Sequence, residues 1–165
     1  MRTGSLNRTP KHLFLVALAC LPLTACATQE TPLGTTQWQV TEITTDATRP
    51  SLIPDNQQGR AFLVFGDKDF TGASGCISFR GHVEWLENKT VLRFRDVSTD
   101  TREDAPCLPG DEDNADRMKQ VLADHDLDIV RPNDTTLRLE LRGGDQPAWQ
   151  TKPALEFISG PEKER

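Results

Sequence analysis

The chain has 165 residues and carries 25 acidic against 19 basic side chains, a net charge of −6. That balance argues against nucleic acid as a partner, and against a bare anionic membrane surface, because both attract an excess of Lys and Arg. The length suits one domain, and no internal repeat or low-complexity tract divides it.

Arg2, Arg8 and Lys11 make a positive N-terminal region without an acidic residue, and residues 13–21 (LFLVALACL) form an apolar run. The run is too short for a spanning helix, which needs about 17–25 apolar residues, and suits a secretory leader. Small residues then lead into a cysteine, Leu23-Thr24-Ala25-Cys26. This order resembles the lipobox of bacterial lipoprotein leaders. The resemblance implies that residues 1–25 are removed as a signal peptide and that Cys26 takes a diacylglyceryl group. Residues 26–32 then form a short tether that holds the fold near a membrane of the cell envelope. Two or three acyl chains, palmitate among them, would anchor firmly at about 0.8 kcal/mol per buried methylene. Ala27 stands where some enterobacterial lipoproteins carry an inner-membrane retention aspartate, and the sequence assigns neither inner nor outer membrane. Removing the leader leaves 140 of the 165 residues and, with its three basic groups gone, moves the net charge from −6 to −9.

Cys20 falls in the leader and Cys26 at the lipid site, which leaves Cys76 and Cys107. In an oxidising compartment this even pair predicts a disulfide, typically worth about 2–4 kcal/mol. The spacing is neither a CxxC redox pair nor a zinc framework.

Residues 33–43 contain β-branched side chains and Trp38, which predicts a first strand. Trp38, Val40 and Ile43 do not share one parity, so a bulge or strand end is expected near Glu42. Residues 44–59, with Pro50, Pro54, Asp55, Asn56 and Gly59, read as a surface loop. Residues 60–65 (RAFLVF) are the most apolar short run and predict a central strand. Residues 66–75 read as a turn, a short extended piece around Phe70 and a second turn. Asp67 and Asp69 could begin a calcium loop, but the later EF-hand ligands are missing.

Residues 76–86 and 90–94 predict a β-hairpin turning at residues 87–89. Asn88-Lys89-Thr90 matches a glycosylation acceptor that a bacterial chain does not use. Residues 96–116 read as a long polar excursion containing Cys107 and eight acids. Asp111, Asp113 and Asp116 are its candidate divalent-cation ligands, set against a solvated acidic loop pinned by Cys107. A helix follows, capped by Asp113 or Asn114, with Ala115, Met118, Val121 or Leu122 and His125 as its buried stripe. Residues 127–130 read as a short strand and residues 132–134 as a turn. Residues 136–141 alternate Leu137, Leu139 and Leu141 against Arg138 and Glu140, a strand with one apolar face. Trp149 is expected to anchor the next loop, residues 154–159 to close the sheet, and residues 160–165 to form a polar tail. About seven short strands and one packed helix result: a mainly β, α+β class, compact and antiparallel. The expected core is Trp38, Phe65, Phe79, Trp85, Phe94 and Leu139.

Chemistry is sparse. No phosphate loop or cofactor motif is present, so no cofactor is expected. His82 with Ser74 or Ser78 is the one base–nucleophile pairing that can be drawn, and its spacing does not demand it.

The order Leu33-Gly34-Thr35, Trp38, Ile43, then residues 61–65, then Gly72, Ser74-Gly75-Cys76, Phe79 and Gly81, then Leu92, Thr99 and Cys107, resembles the META domain family. The likeness extends over most of residues 33–159. Ile77 replaces the asparagine usual after the first cysteine, and the segment before Cys107 is longer and more acidic than usual. The resemblance implies an antiparallel β domain with one helix and paired cysteines at Cys76 and Cys107. It implies no enzyme activity; the family's links are to envelope stress, secretion and motility. The expected function is therefore a non-enzymatic envelope lipoprotein, a structural or protein-interaction module. Its partners are the membrane, through the lipid, and an envelope protein. The rival readings are a small-ligand β-barrel and an envelope hydrolase using His82.

Overall fold

The computed structural model describes residues 1, 32–34, 36–46, 48, 52–144, 147 and 149–160. Cys26, the leader cleavage point and residues 161–165 lie outside the described residues. The described residues form eight strands: β1 (Trp38–Thr44), β2 (Ala61–Phe65), β3 (Asp69–Ser74), β4 (Ile77–Leu86), β5 (Val91–Thr101), β6 (Asp126–Asn133), β7 (Thr136–Leu141) and β8 (Ala154–Ser159). One helix, α1 (Asp111–Leu122), lies between β5 and β6.

Each strand pairs antiparallel with the next, and β8 closes onto β1, so the sheet is a barrel. Closure leaves no free sheet edge at the β1–β8 seam. Eight alternating strands bring the start of β1 and the end of β8 to the same end of the barrel. The β5–β6 crossover is therefore at the opposite end. There α1 touches β1, β2, β3, β4, β5 and β8, so it lies across the barrel mouth. It turns Ala115, Met118, Val121 and Leu122 inward, and Met118 and Leu122 are fully buried.

The alternation of apolar residues does most of this work. Leu63 and Phe65 on β2, Phe79 and Val83 on β4, and Leu137 and Leu139 on β7 point inward at period two. Phe94 sits at the centre, edge-on to Phe65 at 6.3 Å and to Phe70 at 5.0 Å between ring centroids. The expected bulge is present: the β1–β8 register shifts between Val40 and Glu42, which lets Trp38, Val40 and Ile43 all be buried. A second shift on β6, between Val130 and Asn133, brackets Pro132, which has no N–H for the ladder.

Several expectations need correction. There are eight strands, because residues 69–74 form a full strand, β3, between β2 and β4. Gly72 on β3 is required by contact rather than by a turn: a Cβ there would stand 2.3 Å from the Phe62 carbonyl oxygen. β5 continues to Thr101, through residues expected to be loop, because β4 offers backbone partners as far as Ile77. The helix starts at Asp111 with Gly110 as its N-cap at φ 95°, so Asp113 and Asn114 lie inside it and cap nothing. It also ends at Leu122, before His125, and β6 runs on to Asn133. Trp149 is 85% exposed and anchors no core contact. Trp38, Phe65, Phe79, Phe94 and Leu139 are at most 2% exposed, as expected. Trp85 is only half-buried: it packs against the core from its rim and donates its indole N–H to the Gly66 carbonyl at 3.2 Å.

Candidate functional site

Two places collect polar side chains that the sequence singles out. The first is the junction between the β3–β4 turn and the start of α1. The Cys76–Cys107 disulfide is present, with a Cα–Cα distance of 4.9 Å. It ties the start of β4 to residues 102–110, a segment without a buried side chain. Beneath it, the Asp111 carboxylate is 1% exposed. It accepts Arg60 Nε–H at 3.2 Å, Arg60 Nη2–H at 2.7 Å and the Leu108 backbone N–H at 2.8 Å. Ser74 Oγ donates to the Asp111 carbonyl at 2.9 Å, and Arg60 Nη2 also donates to Pro106 O at 3.1 Å. Gly75 is at φ 56°, and any side chain there would overlap the Asp111 carboxylate. The Ser74-Gly75-Cys76 element is thus a junction in which each residue has a structural contact.

Burial pushes the Asp111 carboxyl up. The Arg60 hydrogen bonds, the Leu108 N–H, the Arg60 charge and the Cys76 N–H together outweigh that and hold it below its ordinary value. An ionised Asp111 is therefore committed to Arg60 and the backbone. Asp113 and Asp116 are exposed on the outer side of α1, so the three candidate cation ligands do not converge. Among the described residues no three His, Cys, Asp or Glu side chains group as a metal site.

The second place is an open groove of about 400 Å³ on the outer face of β3, β4 and β5. Asp69, Arg80, His82, Asp96 and Ser98 line it. It forms where the β4–β5 register shifts between Arg80 and His82, with Asp96 opposite at φ 53°. Sequence reasoning reached His82 and missed Asp96 and Ser98, because both lie in residues read as polar loop. The local sequence carries no sign of the bulge that brings them together.

His82 is exposed in this groove, and neither expected serine serves it. Ser74 is buried and bonded to Asp111; Ser78 Oγ donates to the Asp100 carbonyl at 3.0 Å. Ser98 shares the groove, but its hydroxyl donates to the Arg80 carbonyl at 3.3 Å. Arg80 itself pairs with Asp100. His82→Ala is expected to leave the thermal midpoint unchanged within error, since an exposed strand residue without a buried partner contributes little. A clear drop in a melting scan would show that the imidazole holds the bulge.

Among the described residues the barrel centre is filled by apolar side chains. Ile43, Leu63, Leu92, Phe94, Leu127, Leu139 and Leu155 are all 0% exposed, so no water-sized void opens onto them. At the start of β6, Arg93 grips Asp126 through Nε and Nη2 at 2.5 and 2.7 Å. The Arg93 hydrogen bonds hold the Asp126 carboxyl below its ordinary range. The pair is half-exposed and serves to seat the chain as it returns from α1 to the sheet.

No family model and no curated protein matches the chain. Among solved structures it is similar to a protein from Burkholderia xenovorans determined by NMR, at 22% identity and a TM-score of 0.56. That match covers 93% of this chain and 100% of the other. At this identity the likeness establishes a shared fold.

Proposed function

We propose that this chain is a lipid-anchored module of the bacterial cell envelope, of META type, that acts by protein interaction or as a structural element rather than by catalysis. The observation that carries the reading is the leader ending in Leu23-Thr24-Ala25-Cys26, with a positive region and an apolar run before it in the required order. The side chains that fill the barrel favour recognition on the outer surface over enclosure of a small ligand. The engagement of Ser74 and Ser78 with backbone carbonyls favours it over a hydrolase built on His82.

Cys26→Ser tests the anchor. The wild-type chain is expected in the membrane fraction with an acyl-modified N-terminal cysteine. The variant is expected to accumulate uncleaved or to appear in the soluble fraction. Unchanged processing and fractionation of the variant would remove the proposal. A pull-down of the anchored protein from envelope extracts then separates the interaction reading from the ligand reading, according to whether a stoichiometric protein or a small molecule is recovered.

A further inference from the structure

The geometry points to a fixed orientation of the barrel on the membrane: the end opposite α1 faces the lipid surface, and the α1 end is presented away from it. This rests on the anchoring at Cys26 and adds which surface the anchor conceals. The chain does not swing free from the first strand. Residues 32–34 are pinned to the barrel end, where Trp38 Nε1 donates to Leu33 O at 3.1 Å and Arg131 Nη1 donates to Pro32 O at 3.3 Å. The Arg131 guanidinium also lies over the Trp38 ring, 5.4 Å from its centroid. From Cys26 to Pro32 the chain has six residue steps, which reach at most about 20 Å.

The barrel is long against that reach. β5 has eleven residues, about 36 Å along the strand, and at the tilt of about 35–45° that closure imposes it spans about 27 Å of the barrel axis. The β2–β3 turn and the β6–β7 turn share the pinned end, where Gly160 N–H donates to Gln37 O at 2.7 Å and Ser159 N–H to Thr135 O at 2.8 Å. The β4–β5 turn, residues 87–89, comes to the same end, and the exposed charges of the three turns and Arg131 balance, with Lys68, Lys89 and Arg131 against Asp67, Glu87 and Asp134. Orientation therefore comes from the short covalent tether and does not need anionic lipid. The surface left facing the compartment carries residues 102–110 and the exposed Glu112, Asp113 and Asp116 of α1.

The experiment uses the full lipoprotein in phosphatidylcholine vesicles that contain a headgroup-quencher lipid. With Cys26 acylated and Cys76 bonded to Cys107, a single introduced cysteine is the site of dye labelling. Thr135→Cys and, independently, Asp67→Cys report the pinned end; Glu112→Cys and Asp116→Cys report the α1 end. Quenching is expected to be several-fold stronger at Thr135→Cys and Asp67→Cys. Inserting about 20 Gly and Ser residues between Cys26 and Pro32, a flexible coil, is expected to erase the contrast. Equal or reversed quenching in protein whose Cys26 is acylated by mass spectrometry overturns the orientation alone, as does a contrast that survives the insertion. An unmodified Cys26 in the same sample overturns the anchor and the orientation together.

Discussion

Phe94→Ala is expected to lower the unfolding free energy by about 3–5 kcal/mol, the range for emptying a large aromatic site in a rigid core. Phe94 is 0% exposed and meets the edges or faces of Phe65 and Phe70, on two neighbouring strands. Its backbone N–H also donates to His125 O at 3.2 Å, where the chain returns from α1. Truncation would leave a void between β2, β3 and β5 that a closed barrel cannot collapse, because its strand spacing is set all the way round by hydrogen bonds. The measurement is equilibrium urea unfolding, with the slope unchanged and the midpoint reduced. Phe94→Leu should lose much less, since it keeps most of the apolar volume. A loss below about 1 kcal/mol for Phe94→Ala would mean that the interior relaxes around the gap, contrary to a tightly filled barrel.

Asp111→Ala is expected to cost about 2–4 kcal/mol at neutral pH. Breaking a buried ion pair costs more than this, and the figure is reduced because the Arg60 side chain is 28% exposed and keeps some solvent. The variant also strands the Leu108 N–H that the carboxylate accepts. The loss should depend on pH with a definite sign. The folded protein holds the Asp111 carboxyl below its ordinary value, so the stabilisation is complete above the unfolded pKa near 3.9. It is lost as pH falls through the depressed folded value. The gap between wild type and variant should therefore be full at neutral pH and close in strong acid. Chemical unfolding of both proteins from neutral pH down to about pH 2 measures it. A gap independent of pH would mean that shape at Asp111, and not its charge, holds the junction; Asp111→Asn separates the same two possibilities at neutral pH.

Much of the fold is legible in the residues. The runs around Leu63, Val83 and Leu139 alternate clearly, and the stripe of Ala115, Met118 and Leu122 has helical spacing. The mixed parity of Trp38, Val40 and Ile43 even marks the bulge in β1. β3, expected only as a short extended piece around Phe70, and the outer half of β5 are short of apolar residues: DFTGAS and residues 96–101 resemble turns because nothing in them repeats strongly. They become strands because neighbours with unpaired backbone groups lie beside them, a tertiary cause.

The candidate site divides in the same way. The Cys76–Cys107 pair is legible because an even pair remains once Cys20 and Cys26 are set aside, and the acids at positions 111, 113 and 116 suggest a cation by composition. What those acids do depends on direction. Asp111 turns inward to an arginine 51 positions earlier, while Asp113 and Asp116 turn out to water.

By itself, then, the sequence determined the periodicities, the helix and the cysteine inventory, because these depend on side chains a few positions apart. Only the tertiary structure decided that the sheet closes, that α1 covers one mouth and that Asp111 is a buried partner of Arg60. Those outcomes depend on strand register and on contacts between residues far apart in the chain, which local patterns do not encode.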